Sequence, residues 1–560
     1  MKKWLVLCLC FCLLMTGAAF GEAVNGVVVN NHFSLQFEVN EKKSDLILIA
    51  EGYKHNTRVP TPLRVEAGRT VTIRPAKGES AVLRGRIDIE GEGTVIFEGI
   101  RIVAPAGSIG LRIGGGAHVR IDSVTGGEAR GNDGNTAVII RDSELEIGFA
   151  AGSDGKSGMG GDGVYAFGHS VVQIREARGG NAPKGVGCAG VVVFGGAEVT
   201  VTGSATGGDG LYGAGKGVLV GLNASAAGEG DQRDGAQLES KKTVDPDDIS
   251  TRALLENALR NGKTEIRLNP KFKGETRMDP YMYAFTPAGG TIRVIGNPDG
   301  KHPNLGCQFT ICTGEWIFDG VDNTVQYTNY DPCLQVLGDG KVIWNGNLTG
   351  NGRACGLYAG EDAEAVVTGD IQSANTGAFI FGSARAVING NVTSGGKNES
   401  GLETGGHGDL TMNGDVSTTR DAYALTARGG KINMTGTVRG KANRSYPTIY
   451  ISAGEIRLQG DVLSDGTAHA IHNQGGDILI EGNVSSGATK KVPIRMTKGA
   501  GNVTIHGNVT VKTAAAEING GILTIDGNLI LKAKLKKGSA YNTSGDGQVI
   551  VTGEERIEAQ

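Results

Sequence analysis

The 560-residue chain is poor in aromatic residues, at 5%, and contains only 14 prolines. Its formal net charge of −4 leaves no excess of positive charge for holding nucleic acid or an anionic membrane surface. After Ala23 no apolar run approaches the ~18 residues that a membrane-spanning helix needs. We therefore expect neither a nucleic-acid partner nor membrane insertion.

The first residues have the layout of a secretory signal peptide. Met1, Lys2 and Lys3 precede the apolar run Trp4–Met15, and small residues follow at Thr16–Gly21. This pattern predicts a cleaved signal peptide over residues 1–23 and a protein that is secreted or held at the cell surface. Five cysteines lie beyond it: Cys188, Cys307, Cys312, Cys333 and Cys355. Export permits disulfides, but the sequence does not decide their pairing, and with an odd number at least one cysteine is unpaired.

Glycine is abundant, with 93 residues, and it recurs at fixed positions of a sequence repeat. The stretch Val191–Gly203, VVVFGGAEVTVTG, combines two short alternating strands with a Gly-Gly corner and a closing glycine. Apolar positions recur at intervals of 26 or 27 residues in two series: Leu111, Val138, Val164, Val191 and Val218; Val119, Leu145, Val172 and Val199. Two series with one period indicate stacked coils.

A second copy of the plan follows. Its closing glycine recurs from Gly346 to Gly553 with a mean spacing of 23 residues over nine intervals. EIRLNPKFK at 265–273 resembles LILIAEGYK at 46–54, and TRALLENALRNG before it has helical spacing. The sequence therefore predicts an all-β protein of two tandem parallel β-helix (solenoid) domains, the second with a short N-terminal capping helix; their right-handed twist is implied by the resemblance described next. We place a first domain with its own cap at 24–227, a linker at 228–249 and the second domain at 250–560.

These features resemble the pectate-lyase-like superfamily of right-handed parallel β-helices. The resemblance rests on the cap strands, on TVIFEGIRI at 94–102 and EWIFDGVDN at 315–323, and on a period above twenty residues. It implies the architecture alone, because none of these phrases is a catalytic motif. The GHG at 406–408 is shared with polygalacturonase-like hydrolases, but their paired aspartates and Arg-x-Lys signature do not accompany it.

Two polar columns accompany the closing glycines of the second copy. Asn or Asp follows most of them, which predicts coil-to-coil hydrogen bonds at a turn. The residue before each glycine faces outward by alternation. In this column Glu481, His506 and Asp526 fall on three consecutive coils, where a carboxylate, an imidazole and a carboxylate suit a metal or a sugar. The alternative is the ordinary polar exterior of a solenoid.

Two further groups are candidates for binding. Aromatic residues concentrate around the second cap, and the candidates are Trp316, Tyr327, Tyr330 and Trp344. If these rings are exposed, they would stack on a sugar; if they are buried, they would close the end of the solenoid. The glycine-rich loops of the first copy carry aspartates that either bind calcium or only shape corners: Asp133, Asp154, Asp162 and Asp209. No other cofactor is expected.

Regular polar ladders without catalytic signatures favour a secreted, non-catalytic protein that binds a polysaccharide or a cell-surface partner, as an adhesin-like or carbohydrate-binding module. Because fold alone does not decide function, a polysaccharide lyase or glycoside hydrolase is the main alternative, and a purely structural surface protein is the third. Four lysines near the C-terminus predict an edge protected against end-to-end stacking, and hence a monomer: Lys532, Lys534, Lys536 and Lys537.

Overall fold

The computed structural model describes residues 26–54, 61–228, 231–235, 248–273, 284–288, 290–327, 332–441, 446–489, 491–532 and 540–558. These residues form an all-β parallel solenoid of about 20 turns, consistent with the right-handed architecture expected from the sequence. The predicted signal peptide, residues 1–23, lies outside the described residues, and so does Tyr330.

The first eighteen strands, β1 to β18, belong to residues 27–233, which we call the first solenoid. In chain order they are Val27–Asn31, Leu46–Lys54, Leu63–Arg64, Thr70–Pro75, Ala81–Arg84, Ile87–Glu90, Thr94–Val103, Leu111–Gly114, His118–Thr125, Val138–Arg141, Glu144–Ala151, Val164–Phe167, Val171–Arg178, Val191–Val193, Glu198–Thr206, Val218–Val220, Ser225–Ala227 and Asp231–Arg233. They form one sheet of eleven strands and another of seven.

The remaining strands, β19 to β51, belong to residues 249–557, the second solenoid. In chain order they are Ile249–Thr251, Glu265–Lys273, Ile292–Ile295, Phe309–Ile311, Glu315–Asp319, Asn323–Tyr327, Pro332–Val336, Lys341–Asn345, Leu348–Gly352, Cys355–Ala359, Glu364–Thr368, Ile371–Ser373, Ala378–Ile380, Arg385–Asn389, Val392–Ser394, Ser400–Asn413, Val416–Thr418, Tyr423–Thr435, Val438–Gly440, Ile449–Gln459, Val462–Ser464, Ile471–Asn473, Asp477–Glu481, Val484–Ser486, Ile494–Met496, Val503–Ile505, Val509–Val511, Ala516–Ile518, Ile522–Ile525, Leu529–Leu531, Tyr541–Thr543, Gln548–Val551 and Glu555–Ile557.

Both solenoids begin with a strand followed by a nine-residue helix. Helix α1 spans His32–Asn40 and helix α2 spans Arg252–Arg260. The Asn31 side chain accepts a hydrogen bond from the Ser34 amide, and the Thr251 hydroxyl caps α2 in the same way. Helix α2 was expected from the sequence, whereas α1 was not. Neither helix among the described residues is long and apolar enough to cross a membrane.

The repeat read from the sequence matches the strand register. Val138 pairs with Leu111 on one side and Val164 on the other, and the same row continues to Val191 and Val218. In the parallel ladder these side chains stack at ~4.8 Å intervals and fill the interior, while their neighbours point outward. The predicted period of 26 or 27 residues is therefore one turn of the solenoid.

In the second solenoid, glycine closes each coil because the previous coil leaves no room for a side chain. Gly369 has φ +146°, and a Cβ built on it would lie 2.2 Å from the carbonyl oxygen of Gly346. Gly390 stands in the same relation to Gly369. Each coil therefore requires glycine one turn later, which explains the recurrence seen in the sequence.

The residues after these glycines form the hydrogen-bonded column that the sequence predicts. A side-chain oxygen of one coil accepts the backbone N–H of the next, in nine bonds of 2.7–3.0 Å. The column runs from Asp322 to Glu554 and, among the described residues, is broken once, between Thr437 and Asp461. We call it the Asx ladder.

Repairing or breaking the Asx ladder should change stability in opposite directions. Thr437→Asn supplies the missing acceptor for the Asp461 amide and should raise the free energy of unfolding by about 0.5–1.5 kcal/mol, the net value of one such bond. Asn391→Ala removes the acceptor of the Asp415 amide and should lower it by a similar amount. Thermal unfolding of both variants measures the effect, and equal shifts of one sign would contradict this assignment.

The two solenoids share a hydrophobic cluster. Tyr165 and Phe194 on the seven-stranded sheet belong to the same buried cluster as the core of the second solenoid, and the Phe194 ring lies 5.9 Å from that of Phe285. Helix α2 docks on the glycine-rich loops, where Arg260 donates two hydrogen bonds of 2.8 and 2.9 Å to Asp162. The boundaries proposed at 227 and 250 stay predictions, but the two parts pack tightly together.

Removing only one partner of the Arg260–Asp162 pair should lower the free energy of unfolding strongly. The side chains are 12% and 5% exposed, so Arg260→Leu strands a buried carboxylate and should cost about 3–5 kcal/mol of unfolding free energy. The double variant Arg260→Leu/Asp162→Asn removes that charge and should be less destabilised. Chemical unfolding of both variants provides the comparison; a double variant no more stable than the single one would refute the charge explanation.

Candidate functional site

The structure corrects the proposed tryptophan platform. Trp316 and Trp344 are fully buried, with Phe318 stacked between them at centroid distances of 6.0 and 4.3 Å. Their faces are occupied by other core rings, so neither can stack on a sugar. The cause is strand alternation, since both residues share the inward phase of their strands. The Tyr327 side chain, like Tyr330, lies outside the described residues.

Glu481, His506 and Asp526 lie exposed on three successive coils, as predicted. His506 Nδ1 is 3.2 Å from Asp526 Oδ2, and the Thr552 hydroxyl donates to the other oxygen at 2.7 Å. These bonds lower the pKa of Asp526, the Thr552 bond most strongly. Among the described residues no three His, Cys, Asp or Glu side chains are grouped to hold a metal ion. A role for this trio stays a prediction.

The four aspartates proposed for calcium have partners in the loops. Asp162 is held by Arg260, and Asp133 accepts the Met159 amide at 2.7 Å. Asp154 accepts the Asn181 amide, and Asn181 in turn accepts the amide of Asp209. The carboxylates of Asp133, Asp154 and Asp162 thus link loops of neighbouring coils or join the solenoids. Calcium binding at these loops stays a prediction.

The five cysteines beyond the predicted signal peptide are free thiols, and all but Cys355 are buried. Burial raises the pKa of Cys307 to about 11 and that of Cys312 to about 12. Such thiols are largely protonated at neutral pH and are poor nucleophiles. In the strand register Cys355 pairs with Pro332 and not with Cys333.

A groove of about 730 Å³ lies where the two solenoids meet. Arg141 pairs with Glu361 across the junction, Arg64 lies 3.5 Å from Glu90, and Asp88 accepts two bonds of 2.6 and 2.7 Å from Arg86. The groove is therefore suited to joining the two solenoids.

A row of half-exposed rings on the second solenoid is the strongest candidate site. We call it the aromatic stripe, and it comprises Tyr358, Phe379, Phe381, Tyr423, Tyr446 and Tyr450 with the polar residues Glu403, Arg428, His472 and Gln474. Sequence reasoning missed all of these residues. The available signal was alternation within short strands: in CGLYA the neighbours of Tyr358, Leu357 and Ala359, are buried, so the ring points outward.

The strand register aligns the stripe along the solenoid. Tyr358 pairs with Phe379, Phe379 with Glu403, and Glu403 with Thr426. Thr426, which is itself fully buried, pairs with Tyr450, and Tyr450 with His472; Tyr423 and Arg428 on the same strand as Thr426 form the surface of that coil. These positions occupy six successive coils, so the row extends over about 24 Å at ~4.8 Å per coil. The length suits an extended chain better than a compact small molecule.

One end of the stripe is a cluster of tyrosines. The Tyr423 ring centroid lies 5.0 Å from that of Tyr446 and 5.4 Å from that of Tyr450. Tyr450 also lies 5.7 Å from the ring of His472 and donates its hydroxyl proton to Gln474 at 2.8 Å. These contacts hold the rings in place and leave each of them partly exposed.

The centre of the stripe is an ion pair. Arg428 Nε donates to Glu403 at 2.9 Å, and the guanidinium lies 5.7 Å from the centroid of the Tyr450 ring. The Ser400 hydroxyl donates to the other oxygen of Glu403 at 2.8 Å. Nearby, burial raises the pKa of Glu399; a hydrogen bond from Thr376 opposes this rise and the charge of Glu403 adds to it. The centre therefore holds one carboxyl group paired with an arginine and a second whose pKa is raised.

The other end of the stripe is apolar and open. Phe379 lies 5.5 Å from Tyr358 and 6.1 Å from Phe381, which is 45% exposed. Rings thus flank the central ion pair on both sides.

Comparison with protein-family models, with curated proteins and with solved structures gives no match. The case for this site therefore rests on its geometry.

The His472 imidazole gives the stripe a pH dependence. Burial, together with the positive charges of His469, Arg495 and Lys491, lowers the pKa of His472 to about 4. Between pH 6.5 and 4 the unfolded chain binds a proton at this histidine that the folded chain does not, so stability should fall as the pH falls through this window.

His472→Gln should reduce that loss. Melting temperatures of wild type and variant at pH 7 and pH 4.5 make the comparison, with His506→Gln, a half-exposed surface histidine, as the control. Identical pH profiles for wild type and His472→Gln would contradict the assignment.

Proposed function

We propose that this chain is a secreted, non-catalytic β-helix protein that binds an extended polysaccharide along the aromatic stripe. The observation that carries the proposal is the alignment of half-exposed rings on both sides of the Arg428–Glu403 pair, over six coils in register. A polymer with a repeating unit is the natural ligand for a surface that repeats at a fixed interval.

The chemistry of the stripe suits sugars. Aromatic faces pack against the C–H faces of pyranose rings, while charged and amide groups bond their hydroxyls. Arg428 retains N–H groups beyond the Nε that bonds Glu403, and Gln474 and His472 add further polar atoms. Because the strands hold these groups, little conformational entropy is lost on binding.

Ring removal should weaken binding. Tyr450→Ala and Phe381→Ala should each raise the Kd for a bound glycan about two- to tenfold, as expected for the loss of about 0.5–1.5 kcal/mol of stacking. Affinity electrophoresis over a panel of plant and bacterial polysaccharides identifies the ligand, and calorimetry then gives the Kd.

Phe149→Ala is a matched control, because this ring also lies beneath an arginine, Arg178 at 5.6 Å, but on the first solenoid. The control should bind as wild type. Equal losses in the control and the stripe variants, with all melting temperatures preserved, would count against the stripe as the binding face.

One observation favours the hydrolase alternative. The centre of the stripe holds two carboxyl groups, Glu399, whose pKa is raised by burial, and Glu403, which pairs with Arg428, and a glycosidase uses two carboxyl groups as its acid and base. New reducing ends that appear with wild type and disappear with Glu399→Gln would establish hydrolysis, and unsaturated uronides would indicate a lyase. Retention of a glycan without cleavage supports the binding proposal. If the protein neither retains nor cleaves any glycan, the third possibility, a purely structural surface protein, is favoured.

A further inference from the structure

The N-terminal end of the first solenoid exposes an unusual concentration of apolar side chains. Val27, Val28, Phe33 and Phe37 are 39%, 59%, 74% and 40% exposed. We call these four residues the N-terminal apolar patch. The other large hydrophobic side chains exposed among the described residues are dispersed along the solenoids: Val171, Val220, Phe381, Ile550 and Ile557.

Among the residues that the structure describes, nothing covers the sheet edge beside the patch. Strand β1 is the terminal strand of the eleven-stranded sheet, and its one partner in this part of the chain is β2. Its sequence, VVVNN, has high β propensity and contains no charge and no proline. Natural edge strands usually carry a charged residue or a proline, which prevents pairing with another chain.

The second solenoid shows what this side of a capping helix does. Aligning α1 with α2 from their first residues places Phe33 at the position of Ala253 and Phe37 at that of Asn257. Ala253 packs on the buried cluster of Met159, Val186 and Cys188 of the first solenoid. Asn257 donates to the Tyr212 carbonyl at 3.3 Å. This side of α2 is thus a docking surface within the chain, and in α1 it carries two exposed aromatic rings.

The C-terminal end of the second solenoid is charged. The last strand, β51, is Glu555–Ile557 and contains Arg556, which pairs with the preceding Glu554 at 2.6 Å, and Glu558 follows the strand. Lys532, one of the lysines from which a monomer was expected, lies at this same end, 4.0 Å from Glu558. The charges that prevent stacking therefore protect the C-terminal end and not the N-terminal one.

We propose that the N-terminal apolar patch is an interface between two copies of this chain, which meet N-terminal end to N-terminal end about a two-fold axis. In that arrangement the β1 edges pair antiparallel and Phe33 and Phe37 of one copy pack against the same rings of the other. A second copy is the occupant because no other surface of the described residues concentrates exposed apolar side chains to match the patch. An isologous contact also closes at two copies, whereas stacking on the charged C-terminal end would continue into a filament.

Light scattering coupled to size exclusion, on the exported chain with its N-terminus defined by mass spectrometry, tests the proposal. The wild type should elute with twice the mass of one chain over about 1–100 µM. Phe33→Ser/Phe37→Ser should give a mass of one chain with an unchanged melting temperature, since both rings are exposed. Val28→Lys should also weaken the dimer by placing a charge on the β1 edge.

Phe381→Ser is the matched control, because it removes an exposed ring elsewhere and should leave the dimer intact. A monomeric wild type throughout this range would overturn the proposal, and so would a dimer that survives Phe33→Ser/Phe37→Ser. Mass that increases continuously with concentration would also overturn it, because it would mean head-to-tail stacking. Loss of the dimer need not affect glycan binding, so this test is independent of the aromatic stripe.

Discussion

The close contact between successive coils is the constraint on which the second solenoid depends. At each closing corner the backbone of one coil approaches the carbonyl oxygen of the coil before it so closely that a Cβ would lie at about 2 Å, as at Gly369 and Gly390. The neighbouring residue then supplies the side-chain acceptor for the next backbone amide, as Asp370 does for Asn391. Close approach and hydrogen bonding thus keep the coils in register through one corner.

A fixed register has a consequence for function. When every coil repeats in phase, an outward residue on one coil lies directly above its counterpart on the next, and a row of similar side chains becomes a continuous surface. The aromatic stripe is such a surface, and so is the histidine–aspartate pair His506 and Asp526. Function on this scaffold therefore has to be sought along rows, because a single coil offers only one or two side chains.

The sequence analysis was accurate where the pattern is local and repeated. Val138 and Val164 were placed one turn apart from spacing alone, and the ladder through Asn347 was expected from its position after the glycine. At Trp316 and Trp344 it left a sugar-binding platform and a buried cap both open, because the phase of these residues in their strands was not used. Residues two before a closing glycine share the inward phase, so alternation alone would have buried Trp344.

By itself, the sequence determined the all-β repeat, its period, the glycine corners and the polar column beside them, because each depends on residues one coil apart with identical neighbours. Only the tertiary structure decided which rings form a surface: Tyr358 and Tyr450 are four mean periods apart, but the coils between them differ in length, and the strand pairing settles which outward residues share a row. It also decided how the solenoids pack. Arg260 and Asp162 are 98 residues apart and meet only because α2 docks on loops of the other solenoid, a contact that no repeat encodes.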